Sequence, residues 1–461
     1  MINLYNYLTK KKEVFKSIKP RQAGFYACGP TVYNYAHIGN LRTYIFEDIL
    51  KRALEYGGYR VKHVMNITDV EDKIIRDSRK AGKNIFDFVK PYEKAFFEDL
   101  KKLNIEKAWK YPKATRHIKE MIKIIAALLK KGLAYEAEGS IYFDISKFKS
   151  YGALSGLKNR ELSAEGGPAT GWKAGARVDV DEYEKASAED FVLWKAAKAG
   201  EPAWSAPFGK GRPGWHIECS AMSMKYLGET FDVHAGAVDL IFPHHENEIA
   251  QSKGATGKSF AKYFIEGEHL LVNGEKMSKS LGNVYNLRDI EAKNFNPLAF
   301  RYLILTAHYR SKLNFTWESL QAAQNALENL KNIFAATKNN AKKSKISEKD
   351  FRKYKKEFLT FINDDLDMPR AVALLWEIIK TDKISAKTKY NLILDFDKIL
   401  GLNLSKIRIK NIPLIIAKLA NEREIYRKEK KFAEADKLRK KIESLGWLVE
   451  DTSAGYKLKR D

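Results

Sequence analysis

Two cysteines in 461 residues are few, and both stand among residues able to hold a metal. Cys28 lies in Tyr26-Ala27-Cys28-Gly29, Cys219 closes Gly214-Trp215-His216-Ile217-Glu218-Cys219, and the cluster His244-His245-Glu246-Asn247-Glu248 follows Pro243. If Pro243 opens a helix, His244 and Glu248 share one face four residues apart, while His245 points elsewhere. Two thiolates, an imidazole and a carboxylate then form a donor set suited to zinc. Magnesium fits poorly, because hard-oxygen sites do not favour thiolates. The same spacing also suits two buried inert cysteines beside a histidine-rich helix start, so the residues alone leave both readings open.

A second set of residues could handle phosphate. His37-Ile38-Gly39-Asn40 falls between a strand-like run and an apolar-periodic helix, where backbone N–H groups and the positive helix end receive anions. Gly39 lets a ligand approach the backbone closely. Lys276-Met277-Ser278-Lys279-Ser280, about 240 residues later, puts two ammonium groups and two hydroxyls on one loop. Such a loop can follow negative charge as it builds on a transferring phosphate. Trp215, just before Cys219, could wall a small pocket and exclude water.

The elements that must position these residues are legible in outline. Residues 22–29 read as a buried strand, the recurrence of Leu41, Ile45, Phe46, Ile49 and Leu50 as a helix, and Arg60–Ile67 as a second strand after the Gly57-Gly58 turn. This strand, helix, strand unit predicts a doubly wound α/β fold whose ligands bind beyond the carboxyl ends of the strands. Helices are expected over roughly 84–103 and 112–132, the second opening after Pro112. Residues 133–215 change character, with short strands such as Ser140–Ile145 and Phe191–Lys195 among Gly- and Pro-rich loops, and read as an insertion. Alternation resumes from His216 to about Tyr309. Beyond Thr316 the pattern is helical, with a lysine-rich hinge at Asn339–Lys345, an Asp-rich turn at Asn363–Asp367 and a basic helix near Lys430–Leu445. Trp447–Leu458 reads as two short strands around Ser453–Gly455.

Bulk properties narrow the partners. Lysine and arginine number 82 against 58 acidic residues, a net charge of +24 that favours a polyanion, nucleic acid first and an anionic membrane surface second. No long uncharged apolar run appears, which argues against a membrane span. Two cysteines exclude a disulfide scaffold and fit a cytoplasmic protein.

Together, His37–Asn40 and Lys276–Ser280 resemble the paired signatures of class I aminoacyl-tRNA synthetases. The runs Tyr26–Tyr33, Asn66–Lys73, Gly214–Met222 and Phe242–Gln251 resemble the cysteinyl-tRNA synthetase family more specifically, over about Leu4 to Lys459. The resemblance implies a class I synthetase Rossmann-like parallel sheet in two halves, 1–132 and 216–309, around a connective insertion at 133–215. A stem-contact and helical anticodon-binding region would occupy 310–400, and a small mixed domain 401–461. It implies one zinc per subunit on Cys28, Cys219, His244 and Glu248. Phosphate handling would fall to His37, Asn40, Lys276 and Lys279, and substrate contacts to Gly29, Thr31, Thr68, Trp215, His216, His234, Asp239 and His245. The implied substrates are L-cysteine, ATP with Mg2+ and the cysteine tRNA with a GCA anticodon, and the implied state is a monomer.

Three departures stand out. Asn40 replaces the second histidine of many class I enzymes, and its amide still donates a hydrogen bond. His234-Ala235-Gly236-Ala237-Val238-Asp239-Leu240 replaces a run of glycines, adding methyls near the ribose. Leu162–Lys173 looks like an extra loop. The alternative readings are a cysteine ligase acting on an amino-sugar in mycothiol synthesis, which lacks the tRNA-binding tail, and a non-enzymatic tRNA-binding protein, which would have broken signatures.

Overall fold

A computed structural model of the chain describes residues 1–156, 177–178, 190–278, 280–406, 413–452 and 455–460. The Leu162–Lys173 loop and Lys279 lie outside the described residues. The chain folds as two compact units, Met1–Ser405 and Lys406–Asp461.

The first unit is built on four parallel strands: β1 (Gln22–Ala27), β2 (Arg60–Met65), β3 (Phe231–Ala237) and β4 (Ala261–Gly267). Their spatial order is β4-β3-β1-β2, with Val233, His234 and Ala235 of β3 paired to Phe25, Tyr26 and Ala27 of β1. Strand order reverses between β1 and β3, so their carboxyl ends open a crevice of the kind that binds ligands in doubly wound sheets. The carboxyl-terminal half of β1, Phe25–Ala27, is buried, as expected of a strand covered on both faces.

Helix α1 (Ile38–Tyr56) connects β1 to β2. It begins three residues before the expected Leu41, because His37 caps it: the His37 side chain accepts from Asn40 N, and Asn40 Oδ1 accepts from His37 N at 3.2 Å. This reciprocal cap satisfies two otherwise orphan donors. The helix expected from Pro112 instead starts at Ile118, after a short 3-10 turn over Ala114–Arg116.

Between β2 and β3 the chain forms a six-stranded sheet spanning residues 134–213, with Ser140–Phe143, Asp190–Ala196 and Gly209–Pro213 antiparallel at its centre. Helix α2 (Trp215–Leu227) then leads into β3, and α3 (Glu246–Thr256) connects β3 to β4. Pro243 does not open a regular helix. Phe242 is extended (φ −133°, ψ 131°) and Ile241–His245 forms a wide π turn, in keeping with the steric bias against helical backbone before proline. Regular α-helix begins at Glu246.

The rest of this unit is a small sheet of Leu270–Val272, Glu275–Lys276 and Leu313–Phe315, followed by the helices Trp317–Ala341, Glu348–Ile362, Met368–Lys380 and Ala386–Leu400. The lysine-rich segment expected as a hinge is helical through Ala341. A buried ion-pair network ties this region to α1. Asp48 accepts from Arg52 Nε at 2.7 Å and Arg301 NH2 at 2.6 Å, and Arg301 also donates to the Leu400 carbonyl.

The second unit packs Leu414–Lys428 and Phe432–Ser444 with an antiparallel hairpin, Trp447–Thr452 and Gly455–Arg460. Its core is Ile416, Leu419, Ala420, Ile442, Trp447 and Val449. Among the described residues, no helix is long and apolar enough to cross a membrane.

Candidate active site

Cys28 is the first residue beyond β1, where its N–H still donates to Ala235 O of β3. Cys219 lies in the second turn of α2. His244 leaves the π turn and Glu248 lies in the first turn of α3. α2 is drawn onto α3 by Ser220, whose hydroxyl donates to Gln251 Oε1 at 2.6 Å. One ligand atom from each of Cys28, Cys219, His244 and Glu248 falls within 4.8 Å of the other three, and all four residues are buried. His244 Nε2 stands 2.8 Å from Glu248 Oε1, the i,i+4 contact expected from the sequence. Two sulfurs, an imidazole nitrogen and a carboxylate oxygen converging in a water-poor site match what zinc accepts.

His245 does not point elsewhere. Its Nε2 lies 3.6 Å from Cys28 Sγ and its Nδ1 2.9 Å from Glu266 Oε1. Two features bring it in: the wide turn at 241–245, and Gly236, where a Cβ would lie 2.9 Å from the His245 ring. His234 closes the cluster from β3 by pairing with Glu248, so His234 and His245 form a second ligand-range group with Cys28 and Glu248. His216 Nδ1 meets His244 Nδ1 at 2.8 Å, and the Trp215 ring covers His244 with centroids 4.4 Å apart.

The electrostatics separate the two thiols. Burial pushes Cys28 well above the usual thiol range, with Cys219 adding to the rise. Burial acts the same way on Cys219, but its contacts with Cys28 and His244 prevail and bring it down to about 6. For His244, burial is outweighed by Glu248 and Cys219, which hold it up to about 10. Glu248 stays ionised because His234 and His244 overcome its desolvation. These contacts favour the ionised forms of Cys219 and Glu248, the forms that bind a divalent cation.

On the nucleotide side, the structure brings together signatures that are far apart in sequence. Ile38 N donates to Tyr285 O at 2.8 Å, and His37 bridges to Asn286, docking the segment after the lysine loop on the start of α1. Met277 packs against Gly39. Lys276 is exposed, and Asn283 braces its loop by donating to Lys276 O at 3.1 Å and accepting from Ser278 N at 2.8 Å. Asp239 is exposed at the end of β3 and acts electrostatically on His37.

Gly29 N donates to Asn66 Oδ1 at 2.8 Å, and the Asn66 carbonyl occupies the place a Cβ would need. Thr31 bridges to Thr68. The Thr68 hydroxyl donates to the buried Glu218 Oε2 at 2.8 Å, so it is engaged within the protein. Among the buried acids around the cluster, Glu218, Glu266 and Glu47 were not singled out from sequence. Glu218 lies inside the Gly214–Met222 run, whereas the positions of Glu266 and Glu47 give no local signal.

Comparison with known proteins gives a consistent picture. Residues 14–325 match the family model described as tRNA synthetases class I (C) catalytic domain. The cysteine–tRNA ligase of Brachyspira hyodysenteriae is 46% identical over 478 aligned positions, covering 100% of this chain and 99% of the relative. The cysteine–tRNA ligase of Chlamydia felis is 44% identical, covering 99% and 97%. Among solved structures, Mycobacterium tuberculosis methionyl-tRNA synthetase with methionyl-adenylate superposes with a TM-score of 0.58 at 13% identity, covering 83% of this chain and 90% of that one. The Agrobacterium radiobacter K84 agnB2 LeuRS ternary complex with tRNA and LeuAMS gives 0.60 at 12%, covering 85% of each; these two likenesses concern the fold.

Proposed function

The chain belongs to the cysteine–tRNA ligase family of class I synthetases, and from that premise we propose how its residues divide the reaction. It joins L-cysteine to tRNA at the expense of ATP. The cysteine carboxylate attacks the α-phosphate to give cysteinyl-adenylate and diphosphate, and a terminal ribose hydroxyl of the tRNA then takes the cysteinyl group and releases AMP. The amino-sugar ligase reading is not favoured, because similarity to the tRNA ligases runs the full length of the chain.

His37, Asn40 and the first N–H groups of α1 receive phosphate oxygens at the positive helix end. Lys276 and Lys279 counter the charge that grows on the α-phosphate and departing diphosphate, with Mg2+ held mainly by ATP itself. Gly29, Thr31, Thr68, Trp215, His216, His234, Asp239 and His245 line the substrate crevice. Cys28, Cys219, His244 and Glu248 hold one zinc. When bound, zinc supplies a soft Lewis acid that prefers a thiolate to an alkoxide. Around it, Trp215 excludes water on the His244 side, and His234 pairs with Glu248. The region 133–215 acts as the connective insertion, residues 310–400 contact the tRNA stem and anticodon arm, and 401–461 completes reading of a GCA anticodon by stacking and base-edge hydrogen bonds. The chain works as a cytoplasmic monomer.

The observation that carries this reading is the convergence of two buried cysteines, a histidine and a glutamate at the switch point of the sheet. Its test is Lys276→Ala in cysteine-dependent ATP–diphosphate exchange. Adenylate formation is expected to slow far more than cysteine binding weakens, and equal rates in variant and parent would refute the assignment.

A further inference from the structure

We propose that Glu266 is a positioning residue for the metal centre: it holds the His245 ring so that Nε2 lies against Cys28 Sγ. The proposal rests on the reading of Cys28 as a metal ligand. Glu266 is fully buried near the carboxyl end of β4. Its Oε1 lies 2.9 Å from His245 Nδ1, and on the other side of the ring Nε2 lies 3.6 Å from Cys28 Sγ. The imidazole is thus a rigid bridge between a strand carboxyl and a ligand sulfur.

The fold gives the ring little freedom to leave this position. Gly236 is the cross-strand partner of Glu266, and a Cβ there would lie 2.9 Å from His245 Cε1 and 3.1 Å from Nε2. The His234 ring stands 4.3 Å away, centroid to centroid. Among the described residues, the second oxygen of Glu266 has no hydrogen-bond partner, an unfavourable arrangement for a buried carboxyl that serves packing alone. Glu266 belongs to neither ligand-range group among the described residues, so it acts on the centre through His245. Burial raises Glu266 well above the usual carboxylate range, so it can stand beside the cluster without adding a second negative charge to that of Glu248. Partners that orient the surroundings of a metal in this way commonly govern about 10–100-fold in metal affinity.

The test uses the full chain loaded with cobalt(II), whose thiolate charge-transfer absorption reports the Cys–metal bond, with affinity measured by chelator competition. Glu266→Ala is expected to weaken cobalt binding by about 10–100-fold and to shift that absorption. Glu266→Gln, which can still pair with Nδ1, should restore most of both. Gly236→Ala, with Glu266 intact, should reproduce the Glu266→Ala spectrum by crowding the ring. In metal-depleted protein, the 15N resonances of His245, assigned against His245→Gln, should move in Glu266→Ala and Gly236→Ala and stay near parental values in Glu266→Gln. A folded Glu266→Ala protein with parental affinity, absorption and His245 resonances would overturn the proposal. A parent chain lacking the thiolate absorption would overturn the ligand reading itself, and the nitrogen resonances alone would then decide whether Glu266 holds His245.

Discussion

Gly39→Ala probes the contact between the two segments proposed to handle the nucleotide. The new Cβ would overlap Met277 Cε and lie 3.0 Å from His37 Nδ1 and 3.1 Å from His37 Cε1. Two carbons attract best at about 3.5–4.0 Å, so the Met277 end must retreat by about 1 Å. Methionine is flexible and only half-buried there, so this part of the clash should relax cheaply. The His37 ring has less latitude, because its Nδ1 already accepts from Asn40 N at 3.2 Å. Loss of that cap costs about 0.5–2 kcal/mol of stability, too little to unfold a domain. Catalysis should suffer more: a misplacement of about 1 Å in a positioning group can cost about 100-fold, or about 2.7 kcal/mol of transition-state stabilisation. The assay is cysteine-dependent ATP–diphosphate exchange alongside thermal unfolding. Exchange should fall by roughly two orders of magnitude with a small change in Tm, and Gly39→Ala combined with Met277→Ala should recover part of the loss. A Gly39→Ala enzyme exchanging at the parental rate would refute the reasoning.

Arg301→Met strips the buried Asp48 of one partner and leaves the Leu400 and Leu103 carbonyls without their donor, so urea unfolding should register a loss of about 3–5 kcal/mol; a loss under about 1 kcal/mol would show the network to be dispensable. Asp99 is raised from 3.8 to about 6 by burial, only partly offset by Arg288. Its folded form therefore binds the proton more tightly than its unfolded form, and stability is lost as pH rises from about 4 through about 6. Asp99→Asn should accordingly raise Tm over the parent at pH 8 and lose that advantage toward pH 4, and an advantage independent of pH would contradict the assignment.

The sheet and its crossover were legible because strands buried on both faces read as apolar runs and α1 carries a clear helical period. The clustering of the proposed ligands was legible in part, since i,i+4 geometry joins His244 to Glu248 whatever the exact helix start. What local pattern could not give was His245. Its direction depends on a wide turn that Pro243 imposes through Phe242, and on the absence of a side chain at Gly236 on a neighbouring strand. Glu266 was hidden for a related reason: its meaning lies in the β3–β4 register, which pairs it with Gly236 across 30 residues of chain. Asn40 reads as a substitution in a signature, yet its side chain does local work by closing the cap on His37. The start of the helix at Ile118 was missed because three residues of 3-10 turn after Pro112 carry no periodic signal.

The most direct test of the central claim is to measure cysteine and serine activation separately in zinc-loaded protein, in folded metal-depleted protein and in Cys219→Ser. A purely apolar pocket separates close homologues by only about 1–3 kcal/mol, so on the proposed zinc reading strong discrimination between sulfur and oxygen rests on the metal. Cysteine activation is expected to collapse on metal removal and in Cys219→Ser, and the preference for cysteine over serine to shrink with it. Unchanged discrimination in verified metal-free, folded protein would contradict the account.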